Sequence, residues 1–184
     1  MKATGIVRRI DDLGRVVIPK EIRRTMRIRE GDPLEIYTDR EGEVIFKKYS
    51  PIGELASFAG QYAETLHKTC RLSVVITDRD AVIAAAGVSR RDFLDKPITK
   101  EAERIMESRD FYEYRAGDER IAVTDDGMSW YIHMAMPIVS EGDVIGSVCA
   151  LTSGSEAVEG APSEDAQQKL IQTAAVFLSH QLEP

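Results

Sequence analysis

Asparagine is missing from this chain altogether, so no N-glycosylation acceptor can form. Cysteine occurs twice in 184 residues, at Cys70 and Cys149, and the separation matches no metal-ligand spacing. Two reduced, buried thiols in a cytoplasmic protein are the expectation. No apolar run approaches the ~20 residues that span a bilayer, and the N-terminal residues lack the apolar stretch of a secretion signal. No membrane contact is therefore expected. His67, His133 and His180 are far apart in the chain. There is no phosphate-cradling glycine loop ending in Lys-Ser/Thr, no nucleophile elbow and no zinc-binding helix motif. Asp125-Asp126-Gly127 reads as a turn rather than a metal site. These absences weigh against an enzyme and against any bound metal or cofactor.

The formal charge of −7 conceals a division along the chain. Residues 1–50 carry 12 Lys and Arg against 9 Asp and Glu, a balance of +3, and the remainder carries 12 against 22, a balance of −10. Within residues 1–29 the count is 9 against 3, and seven of those nine cations are Arg. An acidic chain with a basic head is the pattern expected when one face meets a polyanion and the rest stays in solution. Arginine is the better ligand for phosphate and guanine, because its planar fork can bind two acceptors at once. The first fifty or so residues also contain no Asn, Gln or His, which removes the usual bidentate reading of adenine. If the partner is duplex DNA, loose sequence specificity with selection by DNA shape is expected.

The head divides into short elements. Residues 4–10 read as a strand, Asp11-Asp12-Leu13-Gly14 as a turn, and residues 15–18 as a second strand. Ile18 precedes Pro19 and is pushed away from the α region, which ends the extended run. Pro19 then suits the first turn of a helix over 19–27. Lys20, Arg23, Arg24 and Arg27 crowd that helix. Leu34 to Tyr37 and Glu43 to Lys48 alternate around a turn at Asp39 to Gly42, which is a hairpin. The result is a ββαββ unit of about fifty residues, too small to bury a comfortable core alone and without a disulfide or metal to help. Sharing a core with a second copy is the remedy, so an obligate dimer through residues 1–50 is predicted.

The runs Thr4-Gly5-Ile6-Val7-Arg8-Arg9, Leu13-Gly14-Arg15-Val16-Val17-Ile18-Pro19 and Glu21-Ile22-Arg23-Arg24-Thr25 resemble the AbrB family of transition-state regulators. The continuation from Ile28 to Ile36 and Lys47 to Pro51 resembles its sporulation-regulator branch. The resemblance implies a swapped-hairpin, intertwined dimer that binds double-stranded DNA. It implies DNA contacts from Arg8, Arg15, Arg23 and Arg24, with Arg9, which replaces a common family Lys, and Lys20 also on the DNA-binding face. Arg27 stands where many relatives carry Gly. It changes how the helix ends and adds a cation near the presumed DNA face.

From Ser50-Pro51 the composition changes. Ile52, Leu55, Phe58, Tyr62 and Leu66 recur at helical spacing, predicting a helix over about 51–68. A strand over 72–77 and a return over 81–86 follow. Residues 87–98 read as a loop, with Phe93 and Leu94 available to pack. Thr99 is an N-cap candidate, with Ile105 and Met106 on the inner face of the helix it starts. Weak strands are expected near 111–115 and 120–124, and a strong hairpin over 131–139 and 144–152. Residues 153–162 read as a flexible loop and 163–182 as an amphipathic helix.

That order gives an α+β class, an antiparallel sheet covered by helices. Val75-Ile76-Thr77-Asp78-Arg79-Asp80, Asp95-Lys96-Pro97-Ile98, Pro137-Ile138-Val139, Gly142-Asp143, Ile145-Gly146 and Thr173-Ala174-Ala175 resemble a GAF domain, a pattern a PAS-like domain would share. Residues 1–50 are then the DNA-binding part and residues 51–184 a regulatory or oligomerising part. The helices near 51–68 and 163–182 carry apolar stripes that either pack only on their own sheet or also pair between subunits as a four-helix bundle, and the resemblance implies the second, two dimers joined into a tetramer. Three functions remain open: a regulator tuned by an unidentified small-molecule effector, an architectural DNA-bridging protein whose second domain only oligomerises, and an antitoxin. The periodic, well-capped second half argues against the disordered toxin-binding tail that the third expects.

Overall fold

The computed structural model describes residues 4–127, 129–154 and 160–182. It separates into two units, Met1–Tyr49 and Ser50–Pro184.

In the first unit, Pro19 holds φ at −58° and opens a helix α1 over Lys20–Thr25. The hairpin forms as expected, β1 (Leu34–Thr38) antiparallel to β2 (Val44–Lys48) with Ile36 opposite Phe46. Its turn is fixed by Asp39, whose carboxylate accepts the Glu41 and Glu43 N–H groups at 2.9 and 2.8 Å. The helix is shorter than expected. It stops at Thr25 because Arg27 turns left-handed, with φ at +51°.

The segments 4–10 and 15–18 form no strand in the single chain, and Gly5 in the first of them sits at a φ of +68°. One rung joins them, the Asp11 N–H to the Arg15 carbonyl at 3.1 Å. Among the described residues β1 and β2 pair only with each other, so neither forms a ladder with the two segments. Among the described residues of the unit only Pro19 is buried. Val7 is 90% exposed, Leu13 71% and Ile36 61%.

The second unit encloses two cores, one on each face of a five-stranded antiparallel sheet. Its strands are β3 (Ser73–Asp78), β4 (Val82–Ala86), β5 (Tyr112–Glu113), β6 (Tyr131–Ser140) and β7 (Asp143–Thr152), in the order β4-β3-β7-β6-β5. The central strands β3 and β7 are covered on both faces, which is why they read as nearly continuous apolar runs instead of alternating. One core joins Val74, Ile76, Met134, Ile138 and Val148 to two long helices, α3 (Ala56–Cys70) and α6 (Glu164–His180). The other packs Val75, Ile132, Cys149 and Leu151 against Phe93, Ala102, Ile105 and Met106. This is the helix-covered sheet expected of a GAF-like domain.

Several local expectations change. The helix expected over 51–68 is two pieces, α2 (Pro51–Glu54) and α3, broken at Leu55. Ser50 caps α2 by accepting the Gly53 N–H at 3.1 Å, and its hydroxyl donates to Asp78 at 3.0 Å. The loop over 87–98 contains a one-turn helix α4 (Arg90–Phe93) that buries Phe93. Thr99 caps α5 (Lys100–Glu107) by accepting the Ala102 N–H at 3.1 Å, with Ile105 and Met106 buried as expected. The weak strand at 111–115 shrinks to β5. No strand forms at 120–124, where the Thr99 N–H bonds the Val123 carbonyl and Ile132 that of Ile121. Cys149 is buried, whereas Cys70 is only half-buried. Of the loop expected over 153–162, residues 155–159 lie outside the described part.

Gly146 sits in β7 between Asp78 and Ile138. A Cβ there would lie 2.1 Å from the Thr77 carbonyl oxygen, a backbone atom that cannot step aside. Gly146→Ala should therefore cost about 2–4 kcal/mol, read as a lower denaturation midpoint. A wild-type midpoint would contradict the close strand spacing.

Candidate nucleic-acid interface

The candidate side chains lie on three consecutive pieces of the head. Arg8 and Arg9 are exposed on the segment 4–10, Arg15 follows the turn, and Lys20, Arg23 and Arg24 belong to α1. α1 buries none of its residues. Arg23 and Arg24 occupy its last turn, where the helix dipole favours cations.

Arg15 differs from the rest. Its Nε lies 2.8 Å from Asp11 Oδ2, and its own N–H donates to Asp11 Oδ1 at 2.8 Å. The Leu13 N–H donates to that same oxygen at 3.0 Å. Asp11 thus closes the turn and half-neutralises Arg15, whose side chain remains 70% exposed. Arg8, Arg9, Lys20, Arg23 and Arg24 make no ion pair among the described residues.

Two residues that sequence reasoning left out hold the end of α1. Lys48 on β2 donates to the Arg27 carbonyl at 2.9 Å and lies 3.7 Å from the Asp32 carboxylate. Asp32 accepts the Arg29 N–H at 2.8 Å. The hairpin is thereby tied to the helix C-terminus. Alternation along β2 could not reveal this, because the bond crosses 21 positions to a backbone carbonyl. The helix ends in two reversed bonds, Ile28 N–H to the Arg23 carbonyl at 2.8 Å and Arg27 N–H to the Arg24 carbonyl at 3.3 Å. That is the Schellman pattern, and its left-handed position favours glycine.

In the second unit the sheet face lined by Phe93, Met106, Val123, Ile132 and Leu151 is filled by its own side chains. Burial pushes the Cys149 thiol up to about 11, so it stays protonated and unreactive. Among the described residues no cluster of His, Cys, Asp and Glu could hold a metal ion, and no helix is long and apolar enough to cross a membrane.

The family profile described as stage V sporulation protein T C-terminal, transcription factor, matches residues 54–183. Stage V sporulation protein T of Bacillus subtilis (strain 168) is 51% identical over 185 residues, covering 100% of this chain and 99% of that protein. The chain belongs to the stage V sporulation protein T family. The head has a second set of relatives. Residues 7–53 match a profile described as antidote-toxin recognition MazE, bacterial antitoxin. The transition state regulatory protein AbrB of B. subtilis is 65% identical over 51 residues, 28% of this chain and 52% of that protein. A methyl-accepting chemotaxis protein, residues 122 to 287, aligns with 70% of this chain and 88% of its own at 19% identity and a TM-score of 0.50, which bears on fold alone.

The Asp11 carboxyl is held below the ordinary carboxylate range, first by the backbone N–H of Arg15 and then by its guanidinium. Its folded pKa is depressed, so its hold on the turn is present above the ordinary carboxylate range and is lost as pH falls through the lowered value. An acid titration followed on the Leu13 and Arg15 amide resonances should inflect below that range. An inflection at or above it would contradict the turn geometry.

Proposed function

We propose that this chain is a DNA-binding transcription regulator of sporulation genes, acting as activator or repressor according to promoter. The observation that carries the reading is the set of unpaired cations. Arg8, Arg9, Lys20, Arg23 and Arg24 lack a carboxylate partner among the described residues, on a chain whose net charge is −7. An acidic protein gains nothing in stability from leaving five cations unpaired on one small unit. A polyanion supplies the missing charge, and the released counterions drive binding. Arg15 joins the set once duplex phosphate competes with Asp11. The name AbrB carried by the head's relative, and the words transcription factor in the matching profile, agree with this reading.

The protein acts as a homo-oligomer. Residues 1–50 expose Val7, Leu13, Val17 and Ile36 and leave the segments 4–10 and 15–18 without ladder partners. A second copy supplies both the strands and the apolar cover, which is the swapped-hairpin dimer. Residues 51–184 supply a further contact. Phe58 and Tyr62 of α3 lie 5.7 and 5.5 Å from the ring of Phe177 on α6, and Phe177 stays 39% exposed beside Val176 at 50%. Pairing that aromatic face joins two dimers into a tetramer. The protein is cytoplasmic and nucleoid-associated, with no membrane role and no catalytic role.

Residues 51–184 tune binding through oligomerisation or through a small molecule. A ligand on the Phe93 face would have to displace side chains that now fill it, which favours the oligomeric route. The antitoxin reading draws on the MazE-type match of residues 7–53. It is disfavoured by the second unit, whose described residues form a sheet with two cores and not the disordered segment that toxin binding would use.

Removing a phosphate-contacting cation should flatten the log–log salt dependence of binding by about 0.9 per contact. Arg23→Ala should fold normally and lose affinity to a similar degree across a panel of unrelated duplexes, measured by fluorescence anisotropy at several ionic strengths. Wild-type affinity and slope would remove Arg23 from the interface. A loss confined to one duplex would replace loose specificity with base readout.

A further inference from the structure

Arg27 is held in a left-handed conformation that is unfavourable for any residue with a Cβ. Its φ of +51° places it at the left-handed end of the helix α1, just past Met26. The observed reversed bonds from Ile28 to Arg23 and from Arg27 to Arg24 fix this geometry, so the chain cannot relax it without losing the helix end. Glycine would meet the same backbone demand at lower cost.

The side chain offers the fold no visible return. Arg27 is exposed and makes no ion pair among the described residues. A cation near a helix C-terminus interacts favourably with the dipole. That role is already filled by Arg23 and Arg24 in the last turn and by the Lys48 ammonium, 2.9 Å from the Arg27 carbonyl. A further guanidinium beside Arg23 and Arg24 mainly adds like-charge repulsion at the C-terminal end of this short element.

A strained backbone and an added repulsion, kept together with no internal partner, point outward. We infer that Arg27 is a further phosphate-binding residue, extending the grip of α1 two positions past the helix onto the sugar–phosphate backbone. This rests on the DNA-binding reading and adds to it a residue outside the two segments and the helix. The contact is to phosphate and not to a base edge, so it adds affinity without sequence preference. Lys48 and Asp32 serve it by holding the Arg27 backbone in place.

Three variants of the full chain test this: Arg27→Gly, Arg27→Gln and Arg27→Lys, with Arg23→Ala as reference. Arg27→Gly should raise the thermal midpoint by about 2–4 °C, because the left-handed cost disappears. It should also weaken duplex binding and flatten the salt slope by about 0.9 for each contact removed. Arg27→Gln keeps the backbone cost and should lose the same slope without the gain in midpoint. Arg27→Lys keeps the charge and should retain the slope. The opposed signs of stability and binding in Arg27→Gly are a result that a purely structural role would not produce. Wild-type affinity and slope in both Arg27→Gly and Arg27→Gln, with Arg23→Ala impaired, would overturn the inference alone. Unchanged binding in all of them, Arg23→Ala included, would remove both α1 and Arg27 from the interface, and a wild-type chain that ignores duplex DNA at low ionic strength would overturn the DNA-binding reading itself.

Discussion

A unit of about fifty residues that buries only Pro19 among its described side chains cannot offset the entropy of ordering its chain. That deficit constrains the rest of the molecule. The first unit has a well-formed turn, helix end and hairpin, each closed by local hydrogen bonds. What it lacks is an interior. Val7, Leu13 and Ile36 face outward, and two segments offer backbone groups with no ladder to join. Apolar surface and an open ladder on one small unit call for a second copy of the same unit. In the proposed dimer the cations would double as well, so the same pairing that supplies an interior would supply the charged surface.

The second unit contrasts with it at every level. Its sheet is covered on both faces, its central strands are buried throughout, and its long helices α3 and α6 meet through aromatic rings. It carries the negative balance of the chain, which leaves the positive charge concentrated in the head. Ser50 caps α2 and bonds Asp78 at the end of β3, so the first residue of the second unit is fixed to its sheet.

Legibility in the sequence followed how local each determinant was. The hairpin β1–β2 was readable because alternation and the Asp39 turn act over neighbouring residues. The Thr99 cap was readable because the cap and the N–H it accepts are three residues apart. The break at Leu55 was not, because the apolar spacing continues through it and only the Ser50 cap and Asp78 bond set α2 apart. The one-turn helix at Arg90–Phe93 escaped notice because its cause is the burial of Phe93 in a distant core. The segment 120–124 has strand-like residues, yet Ile121 and Val123 spend their carbonyls on Ile132 and Thr99. Within the candidate interface, the cations were evident from composition. The Asp11–Arg15 pair was foreseeable as an alternative at short range, while the Lys48 tie to Arg27 required the folded chain.

The central claim is that two copies of the head present one cationic surface to one duplex. The direct measurement is the number of chains bound per short duplex, by sedimentation or native mass spectrometry at low ionic strength. The account predicts chains in multiples of two on each duplex, with no single-chain complex even at limiting protein. A stable complex of one chain with one duplex would contradict it.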